Sequence, residues 1–456
     1  MATTATDGLA AAVKGRVVER GDPVAYDEAR ALYNAMIDKY PAAIAYCADE
    51  SDVAAAIRFA RERGLRIAVR GGGHNGGGLG SVDDGLVIDL SQMNATTVDA
   101  PARMARVQGG ALLKDVLATT HEHGLTLPVG IIGTTGVGGL TLGGGIGHLT
   151  RGYGLTIDNL VAATVVLADG SIVQCDADRE PDLFWAIRGG GGNFGVVTSF
   201  SFRCHPVTTV LAGPVIYDLD DCEDVLAWYR DFLPAAPNEL GGFFAFLSIP
   251  PGPPFPEELH LRPVCAVVWT QPGEEESAAL KEARAFGNPI VDGIAPVPMP
   301  AWNTAFDGVY PAGDQWYWRG DFVKEISDEA IAVHGEYGRK MPSWKSTMHL
   351  YPIDGAAAQV GSDETAWGYR DAVWAQVTAG VDPDPANAEA ISSWARSYSD
   401  AIKPTAMGGG YLNFAMDEPD RVRGMYGANY DRLARVKAKY DPENTFSVNQ
   451  NIKPAA

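Results

Sequence analysis

The chain has 456 residues, 46% hydrophobic and 20% charged, enough for two or three domains of ordinary soluble type. A formal net charge of −21 excludes nucleic acid and an anionic membrane surface as main partners, since both would repel it. The five cysteines, Cys47, Cys175, Cys204, Cys222 and Cys265, form no C-x-x-C pair, so neither a disulfide framework nor a metal site is expected.

In chain order, Met1–Gly8 lacks the basic-then-apolar pattern of a secretion signal, and no apolar run reaches the ~18 residues of a spanning helix. The expected compartment is therefore the cytoplasm. Tyr26–Lys39 has helical spacing and stops before Pro41. Ile44–Cys47 reads as a strand, Ser51-Asp52 as the cap of a helix ending at Gly64, and Leu65–Val69 as a buried strand. Leu86–Leu90 and Met104–Gln108 read as strands, Leu112–His123 as a helix, and Leu160–Ala168 as a strand entering a tight turn at Asp169-Gly170. Beyond Pro206 the glycine runs stop until 408–410, and nine of the ten tryptophans follow. This places a second domain at 206–405 between a first domain, 1–205, and a tail, 406–456, that packs back on the first domain. The tail carries a helix from about Ala428 to Tyr440, stopped by Asp441-Pro442.

Three glycine loops stand out. The first, Gly71–Gly80, has seven glycines in ten residues and a single reactive side chain, His74. The second, Gly133–Gly147, has eight in fifteen, and the third is Arg188–Gly195. Glycine lets a backbone lie directly against a ligand, with amides rather than lysines meeting phosphate charge. A Rossmann turn at Gly143–Gly147 is rejected, because His148–Leu155 has two glycines where the crossover helix belongs. Loops one and two together fit an extended dinucleotide, approached from both sides by Gly71–Asn75 and by Thr134–Thr141.

These segments resemble the vanillyl-alcohol-oxidase-type flavoproteins, which share the PCMH-type FAD-binding domain, and among them the berberine-bridge-enzyme-like FAD-linked oxidases. The resemblance rests on Arg70-Gly-Gly-Gly-His74-Asn75, on Gly136–Gly147 with Arg151–Asn159, on Asp182–Gly195, on Tyr411–Phe414 and on Asp441–Asn451, five blocks in the family's order. It implies an α+β fold: a two-part FAD domain and a substrate domain of antiparallel sheet flanked by helices. It also implies FAD bonded covalently to His74, which tethers the flavin and makes it a stronger oxidant. The cofactor contacts it implies are Arg70, Gly71, Gly72, Gly73 and Asn75 in the first loop, then Thr134, Thr135, Gly138, Thr141 and Gly145 in the second. His148, Asp158 and Asn159 follow, with Gly195 and Val197 after the third loop and Asn449 near the C-terminus. Many relatives add a second link from a cysteine that aligns with Ile132, so a single link is expected here. The family's oxygen-gating position aligns with Thr135, whose small side chain points to O2 as acceptor and H2O2 as product.

Oxidation by flavin needs hydride transfer to N5 and, for an alcohol, a base. The family's tyrosine in Tyr-x-Asn-Tyr is here Phe414, which accepts no proton. Tyr411 and Asn413 would share one face of a strand. Asp314–Arg319 and Lys345–Tyr351 read as strands, with Tyr317 and His349 as the substrate-side catalytic candidates beside Tyr411 and Asn413. The tryptophans suit a flat or ring-shaped small molecule: a sugar, an aromatic alcohol or a secondary metabolite. The reading is an FAD-dependent oxidoreductase acting on a C–O or C–N bond. The alternatives are a dehydrogenase of the same fold with another acceptor, or a flavin-binding protein without turnover.

Overall fold

The computed structural model describes residues 6–416 and 418–456. Its first sheet holds β1 (Val17–Glu19), β2 (Ala43–Tyr46), β3 (Ile67–Arg70) and β4 (Leu86–Asp89), in the order β1-β2-β4-β3. Both β2 and β3 run parallel to β4, and the helix Glu50–Arg63 crosses from one to the other. Asp49, just ahead of the Ser51-Asp52 cap read from sequence, starts that helix by accepting from the amides of Ser51 and Asp52. Asp52 reaches back instead to the amides of Lys14 and Gly15. Gly64 ends the helix at φ 64°, a left-handed position that favours glycine. β3 then delivers the chain directly into the first glycine loop.

The second sheet is antiparallel: β5 (Thr96–Asp99), β6 (Met104–Gln108), β7 (Leu160–Val166), β8 (Ile172–Asp176) and β9 (Val196–Arg203), ordered β5-β6-β9-β7-β8. The helices Leu113–His121, Pro181–Ile187 and Tyr430–Tyr440 bury Leu117, Trp185 and Leu433 in one core with Phe200 and Phe202 of β9. The tail helix thus packs on the N-terminal part of the chain, starting two residues later than read. Its Lys437 is wholly buried and donates to Asp441 (2.5 Å), to the carbonyl of Asn193 (2.7 Å) and to that of Phe446 (2.9 Å).

The third sheet has eight antiparallel strands: β10 (Thr209–Asp218), β11 (Gly241–Ser248), β12 (Pro263–Pro272), β13 (Val291–Asp292), β14 (Ala295–Pro298), β15 (Gln315–Val323), β16 (Thr347–Pro352) and β17 (Trp374–Asp382). The order is β13-β10-β12-β11-β16-β17-β15, with β14 beside β10. One face is covered by the helices Cys222–Ala235, Asp328–Gly338 and Ala388–Ile402, burying Tyr229, Ile331 and Tyr398. On the other face Phe243, Tyr351 and Val377 join Ile146, Leu155 and Tyr411. This is the α+β architecture expected. Among the described residues no helix is long and apolar enough to cross a membrane.

Two local readings are corrected. The helix read over Tyr26–Lys39 covers only Pro23–Arg30. Asn34 competes with helical bonding: its Oδ1 accepts from the amides of Met36 and Trp316, and its Nδ2 donates to the carbonyls of Gly76 and Trp316. Tyr411–Phe414 is not a strand; Leu412–Phe414 is a single 3-10 turn, because the amide of Phe414 bonds the carbonyl of Tyr411.

Candidate active site

His74 leaves the end of β3 three residues after Gly71, past Gly73 at φ 71°. Its ring stacks on Tyr33, with centroids 3.8 Å apart and planes at 18°. Nε2 lies 3.0 Å from Thr134 Oγ1, whereas Nδ1 lies 3.5 Å from Thr135 Oγ1. A proton on Nε2 donating to Thr134 therefore leaves Nδ1 with its lone pair and only a long contact. Burial lowers the His74 pKa to about 4, partly opposed by Thr134, so the ring is neutral and nucleophilic at pH 7. Tyr33 was not singled out from sequence; it sits on the stretch misread as helix, and its amide bonds the Gly73 carbonyl.

His74 opens onto a cavity of about 350 Å³ that runs between the glycine loops and the third sheet. Gly72 and Gly136 are in backbone contact: a Cβ on either would meet the other's amide nitrogen at 2.3 Å. The two strips thus hold each other in place. Gly139 and Gly192, also in the cavity wall, face open space where a side chain would stand. Among the described residues no lysine, aspartate or glutamate lines the cavity. Its one guanidinium, Arg70, is neutralised by Asp89 at 2.5 Å and keeps a buried Nη1 without a partner. Asn449 likewise turns Nδ2 to the Gly192 carbonyl and leaves Oδ1 buried and unpaired. A glycine-walled trench with spare polar atoms and no free cation suits a dinucleotide held by backbone amides, so the residues present fit FAD. Gly139→Ala separates this role from folding. Its methyl meets no protein atom outside its own helix, so the thermal midpoint of the apoprotein should not fall below that of wild-type apoprotein, while FAD content falls. Equal FAD content would show that nothing occupies that space.

At the other end of the cavity the walls are aromatic. Trp316 and Trp318 of β15 lie 5.1 Å apart, with Tyr310 5.3 Å from Trp316. Thr347, His349 and Tyr351 line it from one face of β16, as the alternation predicts. His349 Nδ1 lies 2.7 Å from the Tyr351 hydroxyl, and burial lowers the His349 pKa to about 3. Tyr411, Asn413 and Phe414 also line the cavity. The Tyr411 oxygen accepts from the amides of Gly145 (3.1 Å) and Ile146 (3.3 Å) and from Asn413 Nδ2 (2.9 Å). Burial raises its pKa to about 12 although these three donors pull it down. It is therefore a phenol at neutral pH, and its fixed oxygen makes it a hydrogen donor rather than a base.

The cavity gathers Arg70, Gly71, Gly72, Gly73, His74 and Asn75 with Thr135, Gly138, Gly195, Val197 and Asn449, and with His349, Tyr411 and Asn413. Thr134 stands behind His74. Other candidates lie outside the wall. Tyr317 points to the opposite face of β15, where the guanidinium carbons of Arg319 and Arg396 lie 5.3 and 5.2 Å from its ring centroid. The strand period that puts Trp316 and Trp318 in the cavity turns Tyr317 out of it, and its catalytic role is withdrawn. Asp158 is tied to Arg370 at 2.7 Å, Asn159 to His205 at 2.7 Å, and the His148 ring lies tilted against Trp302 with centroids 4.9 Å apart. Thr141 is buried behind the loop, and Gly145 acts through its amide on Tyr411. These five support the wall rather than form it.

A neutral histidine in a glycine trench, facing an aromatic-walled antiparallel sheet, fits a flavin-dependent oxidoreductase. Residues 41–176 match the FAD binding domain family, and residues 410–453 match the berberine and berberine-like family. The chain is 34% identical over 450 residues to the FAD-linked oxidoreductase YgaK of Bacillus subtilis (strain 168), across 96% of this chain and 97% of that one. The chain belongs to this family of berberine-bridge-like FAD-linked oxidoreductases. The crystal structure of 6-hydroxy-D-nicotine oxidase from Arthrobacter nicotinovorans superposes with a TM-score of 0.87 at 27% identity, covering all of both chains. Glucooligosaccharide oxidase from Acremonium strictum, whose FAD is 6-S-cysteinyl and 8α-N1-histidyl, gives 0.84 at 26% identity, again over all of both chains.

Proposed function

We propose that this oxidoreductase holds its FAD through a single covalent bond to His74 Nδ1, oxidises an uncharged ring-bearing small molecule at a C–O or C–N bond, and is reoxidised by O2 to give H2O2. The observation that carries this reading is the state of His74: neutral, stacked, lining the cavity, with Nε2 engaged by Thr134 and Nδ1 left with only a 3.5 Å contact to Thr135. The N1-histidyl flavin of the Acremonium oxidase supports it. Ile132 lines the cavity, and all five cysteines are buried away from it, so a second sulfur link has no donor. Residues 1–205 and 406–456 would serve the cofactor, and residues 206–405 the substrate.

When bound, FAD takes a hydride equivalent from the substrate and passes the electrons to an acceptor. The chain's own residues bind and orient. The tryptophan and tyrosine walls exclude water and favour a flat neutral ring, because a charged substrate would find no counter-charge there. Tyr411 offers its hydroxyl hydrogen from an oxygen locked by three donors, and Asn413 holds that oxygen while donating to the Leu140 carbonyl. The test is a visible spectrum before and after acid precipitation: yellow colour in the pellet, with one FAD added to the protein mass, supports the link. Colour released to the supernatant overturns it.

Thr135 governs the acceptor in this reading. Thr135→Leu adds bulk to the cavity wall beside His74, so reoxidation by O2 should slow about tenfold or more, roughly 1.4 kcal/mol of barrier, while anaerobic reduction is unchanged. Stopped-flow measurement of both half-reactions checks this. Equal reoxidation rates would remove Thr135 as the gate.

A further inference from the structure

Phe414 leaves the site without the hydroxyl that an alcohol oxidation would use as base, yet the cavity contains another ionisable pair. Among the described residues that line it, His349 and Tyr351 are the ionisable side chains joined directly by a hydrogen bond, Nδ1 to Oη at 2.7 Å. They stand two residues apart on β16, so one face of the strand presents both. Phe243 packs against them, with its ring 4.8 Å from His349 and 4.9 Å from Tyr351. Among the described residues, Nε2 of His349 and the Tyr351 oxygen have no other protein hydrogen-bond partner. In the tautomer that satisfies both groups, Tyr351 donates to Nδ1 and Nε2–H faces the cavity. The Tyr351 oxygen then keeps a lone pair for a substrate.

We propose that Tyr351 is the proton acceptor of this enzyme, relaying to His349, and that the group oxidised is accordingly a carbinol, CH–OH, rather than an amine. This deepens the FAD-oxidase reading and rests on it. The balance is simple. The carbinol C–H bond breaks and its hydrogen leaves with two electrons to the flavin, which is reduced. The O–H bond breaks, and its proton passes to Tyr351 Oη as the C=O bond forms. The Tyr351 proton moves to His349 Nδ1, so the phenol is regenerated and the imidazole carries the charge. An alcohol needs this acceptor, because hydride loss alone leaves a strongly acidic protonated carbonyl. An amine does not, since its lone pair stabilises the cation left behind. Burial keeps His349 neutral at rest; the same burial disfavours the imidazolium, whose charge is offset by the negative charge that arrives on the flavin with the hydride.

Two measurements test the relay. In the resting holoenzyme, nitrogen-15 chemical shifts of His349 should show Nδ1 bare and accepting and Nε2 protonated, with Nδ1 shifting in Tyr351→Phe. A protonated Nδ1 overturns the pair as drawn. Anaerobic flavin reduction is then followed with matched ring-bearing alcohols and amines, benzyl and cinnamyl, cyclohexyl and tetrahydropyranyl. Alcohols should reduce the flavin, and Tyr351→Phe should slow the best of them about 10²–10⁴-fold with its dissociation constant within threefold of wild type. His349→Asn keeps an acceptor for the Tyr351 hydroxyl but takes no proton, so it should be slowed comparably. A wild-type rate there would reduce His349 to positioning Tyr351 and overturn the relay. Reduction by amines alone, or by neither set, overturns the carbinol assignment. A protein-bound flavin that dithionite still bleaches would leave the FAD reading standing.

Discussion

His74→Ala should release the flavin from the protein on acid precipitation while leaving the fold intact. The side chain is half-buried at the edge of a cavity, and its loss removes a stack on Tyr33 and one hydrogen bond, not a piece of core. The protein mass should fall by one FAD, and FAD content should become dependent on added cofactor. A bound imidazole withdraws electrons from the ring, so the two-electron potential should also drop. A fall of about 60 mV would shift the substrate-oxidation equilibrium about a hundredfold, at roughly 30 mV per factor of ten. Thr134→Ala offers a milder companion: without the hydroxyl that engages Nε2, the ring loses its tautomer bias, and the bond should form more slowly from apoprotein and FAD. Acid-stable colour in His74→Ala would move the anchor elsewhere and end the assignment.

The second large effect is structural. Lys437→Met should lower stability by about 3–5 kcal/mol, because it strands the Asp441 carboxylate in a fully buried place. Asp441 also accepts from the amides of Thr445 and Phe446, and those bonds hold it where it cannot turn to solvent. Pairing Lys437→Met with Asp441→Leu should recover part of the loss, since no lone charge then remains. Urea unfolding of the three variants measures this. The lysine also clamps the carbonyls of Asn193 and Phe446, and Gly192, Phe446 and Asn449 line the cavity, so the single variant should lose FAD affinity as well. A single-variant loss below about 1 kcal/mol, the range of an exposed pair, would deny the pair this role.

How far the site could be read in advance depended on whether its parts were local in sequence. The glycine loops were legible because glycine at high density has few uses besides close backbone approach, and His74 was conspicuous among residues without side chains. The strand Lys345–Tyr351 was legible as alternation, and the structure keeps Thr347, His349 and Tyr351 on one face. Alternation gives two faces without naming the one that meets the cavity, so the period alone does not separate Tyr317 from its neighbours Trp316 and Trp318. Tyr33 and Asn34 were missed for a different reason. Their spacing matched a helix, and what unwound it was a set of bonds to Gly76 and Trp316, more than 40 and 280 residues away. Asp158 and Asn159 sit inside a matching motif, but their partners Arg370 and His205 were invisible without the fold. The pairing of His349 with Tyr351, finally, is a matter of side-chain rotation that alternation leaves open.

The tail closes the trench from the far end of the sequence. The cavity wall takes Gly71–Asn75 from early in the chain and Phe446–Gln450 from late in it, and Lys437 and Asn449 fasten the late part to Asn193 and Gly192. The trench is therefore closed along that seam only when the segment Phe446–Gln450 is in place. Any cleavage that removed the tail from the finished protein would reopen the trench along the same seam.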